Sequence, residues 1–472
     1  MEKTNKTFIE LISEIQPENL TNEEIKNTVN NLLSIKNKTD LGIETFISKF
    51  NNIKTNFISL PSYIISNNKK LGFNLSPNQI MRIIEKTNLS IQNSVGWNLP
   101  MYILHCNKSQ NLNLQPEQII SIIEKSDLSI QDQDNFTTPM YLLCNNRNQN
   151  LNLSPEQIIS ILEKSDLSIQ DKHGNTTTTH LLLNNKNENL NLSPNQIMSI
   201  LNKTNLSIQN KRKSTLSMFV LENNKNQKLN LSPNQIKTII EKSDLSIKDK
   251  YGVTLPMYIL DKNKDQELNL PPEQIIQLLK KTKDPITNKN DIEIIKIILK
   301  NNKTKNFNLS PKQILAAIEE TNLYKKDIYG WSIIMYLLSH NKTQNINLSS
   351  EQIMSVIEKS DLSIQDNNGL TLPMFLLTCN KNHNLSTNQI MSVIEKTDIS
   401  LLNNDFLMIF FEEIENNLDI SNKKIYKILN LFNTKIKNIN PENQEKINKI
   451  LFHYKTKEKL QKKHKSKITL KL

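Results

Sequence analysis

The chain has 472 residues, 37% of them hydrophobic and 22% charged, which is the composition of a folded soluble protein with a low apolar share. Only 7 Gly and 16 Pro are present, which excludes the collagen-like and the Gly/Pro-rich disordered classes. The net charge of +12 would favour an acidic partner, but residues 455–472, with eight Lys and one Glu, carry more than half of it. Asn supplies 70 residues and Ala 2, a preference that an AT-rich genome would impose, and we draw no function from it.

The N-terminal region, residues 1–59, predicts a helical cap that contains one weak copy of a repeat, LTNEEI at residues 20–25. Acidic residues interrupt the first twenty positions, so the start of the chain does not have the pattern of a secretory signal. No run of 18 or more apolar residues occurs, and we therefore expect no transmembrane segment.

Residues 60–402 contain an internal repeat, which decides the architecture. The motif Leu-Ser-Pro-Asn/Glu-Gln-Ile recurs every 39 residues. Its third position is occupied by Pro77, Pro116, Pro155, Pro194, Pro233, Pro272, Pro311 and Ser350, and a further copy at Thr387 follows after 37 residues. A second marker, Leu-Pro-Met-Tyr/Phe, keeps the same phase, so the chain is predicted to be an array of equivalent structural units.

Each repeat begins with a helix-start signal. In one copy Ser154 is the expected N-cap, Pro155 the first helical residue and Gln157 the capping-box partner. Apolar residues from Ile158 to Leu162 follow at helical spacing and predict one buried stripe. The alternating residues 167–170 predict a short extended stretch after this helix.

A turn of the form Asp-x-x-Gly-x-Thr then leads to a second, short helix. Glycine permits positive φ, so its recurrence at one phase predicts a left-handed turn position in successive repeats. Five of the seven glycines share that phase, namely Gly96, Gly174, Gly252, Gly330 and Gly369. Asp or Asn stands three residues earlier, where its side chain can bond to turn amides. These residues are Asn93, Asp132, Asp171, Asn210, Asp249, Asn288, Asp327 and Asp366.

The repeat that contains residues 281–295 departs from the pattern, because Asp291 replaces the glycine and Pro285 intrudes. Its spacing is kept, so we expect a local irregularity there. Residues 403–454 drift from the consensus and predict a C-terminal helical cap, and residues 455–472 predict a flexible basic tail.

The turn and the apolar helix after it resemble the ankyrin repeat, with residues 249–254 (DKYGVT) and 366–371 (DNNGLT) as the best examples. The resemblance implies an all-α solenoid of stacked short helix pairs joined by tight turns. Two features differ from the family: the repeat has 39 residues instead of 33, and Thr-Leu-Pro-Met replaces Thr-Pro-Leu-His. A HEAT-like solenoid, with a period near 40 but longer helices, remains the alternative fold.

The sequence contains no pattern that predicts catalysis. The glycines are used in turns rather than in a phosphate-binding loop, and the seven histidines have no metal-ligand spacing. Cys106, Cys144 and Cys379 form no CxxC pair, which favours a reducing compartment such as the cytoplasm, with export without a classical signal peptide left open. We therefore predict a protein that is not an enzyme and needs no cofactor or metal.

Positions beside the turn glycine vary between repeats and are the candidate partner-binding residues. Aromatic side chains dominate interface energetics, whereas packing against the neighbouring repeat is the alternative role. The candidates are Trp97, Phe136, His173, Tyr251, Tyr329 and Trp331.

We predict a monomeric, non-enzymatic scaffold that binds protein partners through a concave face and its projecting turns. Ankyrin-type proteins of AT-rich intracellular microbes often engage host proteins, so the resemblance implies host proteins as one class of partner. The alternative function is binding of nucleic acid or an anionic membrane through the basic tail, which would depend steeply on salt.

Overall fold

In the computed structural model the chain forms two compact parts, residues 1–258 with 265–268, and residues 259–264 with 269–472. The structure describes residues 58–281, 291–397, 404–416 and 439–452, together with Lys54–Thr55 and a few single positions. Most of the predicted N-terminal cap, the turn of the irregular repeat and nearly all of the basic tail therefore lie outside the described residues, and the predicted domain boundaries stay predictions.

The first part contains two alternating sets of helices. The helices that begin with the Ser-Pro signal, called first helices below, are Pro77–Glu85, Pro116–Glu124, Pro155–Glu163, Pro194–Asn202 and Pro233–Lys242. The helices that follow a turn, called second helices, are Leu60–Ser66, Leu99–Cys106, Thr138–Asn145, Thr177–Asn184 and Leu216–Asn223, and Leu255–Lys262 begins here. An antiparallel pair of two-residue strands, Lys54–Thr55 with Ile58–Ser59, precedes them and was not predicted.

The second part continues the same alternation. Its first helices are Pro272–Lys281, Pro311–Glu319, Ser350–Glu358 and Thr387–Lys396. Its second helices are Asp291–Asn301, Ile333–His340 and Leu372–Thr378, followed by the 3₁₀ turn Asn380–Asn382, the helix Asn404–Asn416 and a helical stretch at 441–452. The helix Asp291–Asn301 has 11 residues where Ile333–His340 has 8, which is the irregularity expected in that repeat.

The predicted helix start is confirmed. Ser154 Oγ accepts a hydrogen bond from the Gln157 amide at 3.3 Å, and Gln157 Oε1 accepts one from the Ser154 amide at 2.9 Å. Pro155 occupies the first turn, where a missing N–H costs nothing. Two otherwise unpaired donors are thus satisfied by a four-residue signal.

The core lies between the helices of each pair and their neighbours. Ile158, Ile161 and Leu162 of one first helix are no more than 1% exposed. Linker leucines join them: Leu151 and Leu153 are 0% and 4% exposed. The linker between each second helix and the next first helix, although rich in Asn and Lys, therefore contributes apolar side chains to the core.

The extended stretch predicted at 167–170 is shorter than expected. Asp166 Oδ1 accepts hydrogen bonds from the amide and hydroxyl of Ser168, at 2.8 and 2.6 Å, which makes a turn there. Only Gln170 pairs as a strand residue, in an antiparallel bridge with Thr176 across the Gly turn.

Within each part, buried asparagines join one repeat to the next. Asn185, just after the second helix, is 2% exposed; its Nδ2 donates to the Gln227 carbonyl at 3.1 Å and its Oδ1 accepts from the Leu192 amide at 2.9 Å. Equivalent residues are Asn68, Asn107, Asn146, Asn224, Asn263, Asn302 and Asn341, all buried.

Asparagine also occupies the linker positions that need left-handed backbone. Among the described residues, 17 non-glycine positions have positive φ and 14 of them are Asn. Asn tolerates this region better than most residues. Part of the high Asn content, which was attributed above to codon preference, therefore has a conformational reason. The regular recurrence of Asn at fixed positions of the linker is a sequence signal for it.

Candidate functional site

In each of the described turns, one Asp or Asn side chain accepts hydrogen bonds from the backbone amides of the turn. Asp171 Oδ1 accepts hydrogen bonds from the amides of His173 and Asn175, at 2.7 and 2.9 Å. Gly174 has φ +80°, and a Cβ there would lie 2.9 Å from the Asn210 Cα of the next repeat. Glycine is therefore required both by the backbone conformation and by the approach of the next turn.

Backbone hydrogen bonds link successive turns. The Lys211 amide donates to the His173 carbonyl at 2.9 Å, and the Lys250 amide to the Arg212 carbonyl at 3.0 Å. In the second part the Asn367 amide donates to the Tyr329 carbonyl at 3.0 Å. Each of these turns is thus fixed at its base by its own Asp or Asn and at its side by the neighbouring turn.

The residues that follow the glycine pack against second helices. Trp97 is half-buried, with ring centroids of Tyr102 and Tyr141 both 5.1 Å away, and its Nε1 donates to Asp132 at 3.1 Å. Trp331 lies 4.9 Å from both Tyr336 and Phe375.

Phe136 occupies the same position in its repeat. Its ring centroid lies 5.5 Å from that of Tyr141 and 4.8 Å from that of His180. The side chains after the glycine therefore lie between a second helix of their own repeat and the next one, with one edge left open to solvent.

The residues before the glycine are exposed. His173 is exposed, Tyr251 is 77% exposed and Tyr329 is 61% exposed. Val95 and Ile328, which the sequence analysis did not select, belong to the same turns and are 42% and 78% exposed. The six predicted residues thus divide into a half-buried set after the glycine and an exposed set before it.

In several repeats the turn aspartate accepts a hydrogen bond from a tyrosine nine residues later in the chain. The Tyr141 hydroxyl donates to Asp132 at 2.6 Å and the Tyr336 hydroxyl to Asp327 at 2.6 Å. Burial and the neighbouring carboxylate both raise the pKa of Tyr141, so the phenol stays neutral and remains a donor. The pair couples the turn to the second helix.

An open groove of about 500 Å³ lies beside one of these pairs in the second part. Its lining includes Trp331, Tyr336 and Tyr329, with Lys300 and His340. Lys300 Nζ lies 5.9 Å from the centre of the Tyr336 ring. Burial and the nearby Lys300 charge lower the pKa of His340, although its bond to the Tyr336 carbonyl opposes them, so lysine is the cation of this groove at neutral pH.

In one repeat a histidine replaces the tyrosine. His180 Nε2 lies 3.0 Å from Asp171 Oδ2, and His180 Nδ1 lies 3.5 Å from the sulfur of Cys144 on the preceding second helix. Burial acts to lower the pKa of His180, but hydrogen bonds to Asp171 and Cys144 outweigh it and raise the pKa to about 9. Although burial opposes it, hydrogen bonding from His180 and two turn amides lowers the pKa of Asp171 to about 2.

His180 is one of seven histidines without metal-ligand spacing, and no role was predicted for it. A signal was available, since His180 falls at the phase of Tyr141 and Tyr258, so it was bound to face the turn carboxylate. The neighbouring Cys144 could not be found in this way, because its contact depends on how second helices stack.

Within the described ranges no three His, Cys, Asp or Glu side chains lie close enough together to hold a metal ion. None of the helices described above is both long and apolar enough to cross a membrane.

No protein-family model and no curated protein matches the chain. Among solved structures it is similar to the ankyrin repeat protein EF0377, at 15% identity and TM-score 0.32 over 47% of this chain and 98% of that one. The ankyrin repeat domain of Bcl-3 aligns at 10% identity and TM-score 0.33, over 56% of this chain and 99% of its own.

A further similar chain comes from the complex of the predatory endopeptidase Bd0816 of Bdellovibrio bacteriovorus with the immunity protein Bd3460. It aligns at 16% identity and TM-score 0.29, over 47% of this chain and 97% of its own.

The described repeats have the ankyrin-like architecture that the sequence predicted. Their short second helices, the left-handed Gly turn and the bridge such as Gln170 with Thr176 match the predicted all-α solenoid of that type and not the HEAT-like alternative.

Proposed function

We propose that the chain is a non-enzymatic scaffold that binds protein partners through its turns and the exposed side of its second helices. The observation that carries this proposal is the exposure of large apolar side chains on rigid turns, above all Ile328 and Tyr329, which are 78% and 61% exposed. Of the seven exposed large hydrophobic residues in the described ranges, four belong to the turns: Val95, Tyr251, Ile328 and Tyr329. Ile328 and Tyr329 are adjacent in one turn, and neighbouring exposed apolar side chains of this kind typically mark an interaction site.

Rigidity supports the same proposal. Asp327 Oδ1 accepts hydrogen bonds from the amides of Tyr329 and Trp331, both at 2.9 Å, and the Tyr329 carbonyl is held by the next turn. Binding to a surface whose backbone is already fixed loses less conformational entropy than binding to a mobile loop. The fixed backbone of this turn therefore holds the exposed Tyr329 side chain at a defined position for a partner.

The chemistry of the groove beside this turn suggests the kind of partner. Trp331 and Tyr336 supply aromatic walls, and Lys300 supplies a cation at the same groove. We infer a partner protein that inserts an apolar side chain with an acidic group next to it, because such a segment matches both features.

Photo-crosslinking tests this proposal. A benzoylphenylalanine placed at Tyr329 should crosslink a partner protein, whereas the same probe at Lys359, an exposed residue at the end of a first helix, should not. Ile328→Ser combined with Tyr329→Ser should reduce capture of that partner by roughly tenfold or more, the size expected when an interface anchor is lost. Equal crosslinking from the two probe positions would contradict the proposal.

A further inference from the structure

Two side chains, a thiol from one repeat and a carboxylate from the next, contact the imidazole ring of His180. Cys144 lies near the end of the second helix Thr138–Asn145, and His180 lies in the next second helix. His180 contacts the Cys144 sulfur at 3.5 Å with one ring nitrogen and Asp171 at 3.0 Å with the other. The order is sulfur, imidazole, carboxylate.

A second donor reaches the same sulfur. Asn184 Nδ2 lies 3.6 Å from Cys144 Sγ, and its other hydrogen bond goes to the His180 carbonyl. One amide donor and one imidazole nitrogen thus contact the sulfur of Cys144, a residue that is half-buried. Nitrogen groups within hydrogen-bonding distance of a partly exposed sulfur are the surroundings in which cysteines react as nucleophiles.

We propose that Cys144 is a reactive thiol, activated by His180 and Asp171, and that it is a modification site for small electrophiles and peroxides. The imidazolium is held by the buried carboxylate and by the packing of Phe136 on its ring at 4.8 Å. His180 acts on the sulfur directly, whereas Asp171 is a positioning residue that keeps the ring oriented and charged.

The other acidic and lysine side chains of these two turns pair with each other or with the tyrosine of the Cys144 helix. Tyr141 precedes Cys144 on the same helix and donates to Asp132, and it stays neutral. In the turns, Lys172 pairs with Asp134 at 2.9 Å. Asp132 and Asp134 lower the local potential, but the imidazolium is the charge in contact with the sulfur.

The chemistry balances with a peroxide as the oxidant. The Cys144 thiolate attacks one oxygen of hydrogen peroxide, an S–O bond forms and the O–O bond breaks. The leaving hydroxide takes a proton and becomes water. The sulfur is oxidised by two electrons to a sulfenic acid, and the peroxide is reduced by the same two electrons.

The chain offers two internal controls. Cys106 is only 8% exposed, and burial raises the pKa of its thiol, opposed in part by its bond with Ser109. Cys379 is half-buried like Cys144, but the described neighbours of its sulfur are the hydroxyls of Ser339 and Thr378, at 3.5 and 4.0 Å, and no described cation contacts it. Of the three, Cys144 alone has an imidazole and an amide donor on its sulfur.

Alkylation rates test the proposal on the full chain. With limiting iodoacetamide at about pH 7, peptide mass spectrometry should show Cys144 reacting roughly tenfold or more faster than Cys379. Here the thiolate attacks the methylene carbon and iodide leaves. After hydrogen peroxide, the trap dimedone should label Cys144 and leave Cys379 unlabelled.

His180→Tyr is the matched variant, because Tyr141 and Tyr258 occupy this phase and bond to their turn carboxylates. In His180→Tyr the alkylation rate of Cys144 should fall to within about twofold of the rate of Cys379. The circular dichroism spectrum should remain that of the wild type. Asp171→Asn is the second variant, since Asn93 and Asn210 build the same turn, and it should give an intermediate rate. Equal rates for Cys144 and Cys379 in the wild type, or an unchanged Cys144 rate in a folded variant, would overturn the proposal.

Discussion

At the scale of single residues, one position in the repeat decides how each turn is connected to its helix. Tyr141, Tyr258 and Tyr336 hold the turn carboxylate with a neutral hydroxyl, whereas His180 holds Asp171 with a charge. Both side chains of the charged pair are almost inaccessible, at 9% and 1% exposure. A buried pair of this kind makes the stability of its repeat depend on pH.

Replacing His180 by Tyr should remove that dependence. The folded-state pKa of His180, about 9, lies above its ordinary value of 6.5, so its contribution to stability is complete below pH 6.5 and is lost as pH rises through 9. Asp171, with a pKa of about 2, contributes above its ordinary value of 3.8 and loses that contribution as pH falls through 2. Between pH 6.5 and pH 9 the wild type should therefore lose up to about 3 kcal/mol relative to His180→Tyr.

Urea unfolding of both proteins at these two pH values measures the difference. His173→Gln, an exposed change in the same turn, is the control and should follow the wild type. A stability difference between wild type and His180→Tyr that is the same at both pH values would show that the pair is not charged as described.

At the scale of elements, the helices of one repeat are too short to persist alone, and polar side chains carry much of the connection between repeats. Asn185 bonds to Leu192 in the linker that follows it and to Gln227 in the next repeat. Gln227 Oε1 in turn accepts from the amides of Lys186 and Asn187, at 3.2 and 3.4 Å. These buried amides satisfy backbone groups that the irregular linker leaves unpaired.

Asn185→Ala should therefore destabilise the protein strongly. The change leaves the Leu192 amide and the Gln227 carbonyl without this partner, and each buried unsatisfied group costs about 1–3 kcal/mol. Thermal unfolding followed by circular dichroism measures the loss. Asn187→Ala, two residues away and exposed, should change stability by less than about 0.5 kcal/mol. Similar losses in the two variants would contradict a special role for the buried asparagines.

At the scale of the molecule, each repeat presents the same donors and acceptors to the next. Asn146 bonds to the Glu188 carbonyl as Asn185 bonds to the Gln227 carbonyl. A repeat can then be removed without leaving its neighbours unpaired, provided that the deletion has the length of the period.

Deleting residues 155–193, one period of 39, should give a folded protein with unchanged helicity per residue and a lower unfolding temperature. The deletion joins Ser154 to Pro194, which restores the helix-start signal and brings Asn146 opposite Gln227. Deleting residues 155–174 removes part of a period and should lose helicity. Circular dichroism of the two proteins compares them, and equal loss of structure would contradict interchangeable repeats.

The sequence predicted the parts of the fold that depend on local chemistry. Ser154, Pro155 and Gln157 specify a helix start within four residues, and Gly174 specifies a left-handed turn, because both signals act through the backbone of their own segment. The candidate site was predicted only as a row of positions. Whether Trp97 packs and Tyr251 stays exposed depends on neighbouring repeats, which no local pattern describes.

Period, helix starts, turn positions and the ankyrin-like class thus follow from the amino-acid sequence alone. Stacking decided the rest: that linker leucines enter the core, that one asparagine per repeat is buried, and that His180 meets both Asp171 and Cys144. These contacts join residues about 36 to 42 positions apart, or nine apart across a folded turn. They exist only after helices pack, because burial then selects which polar groups must find a partner.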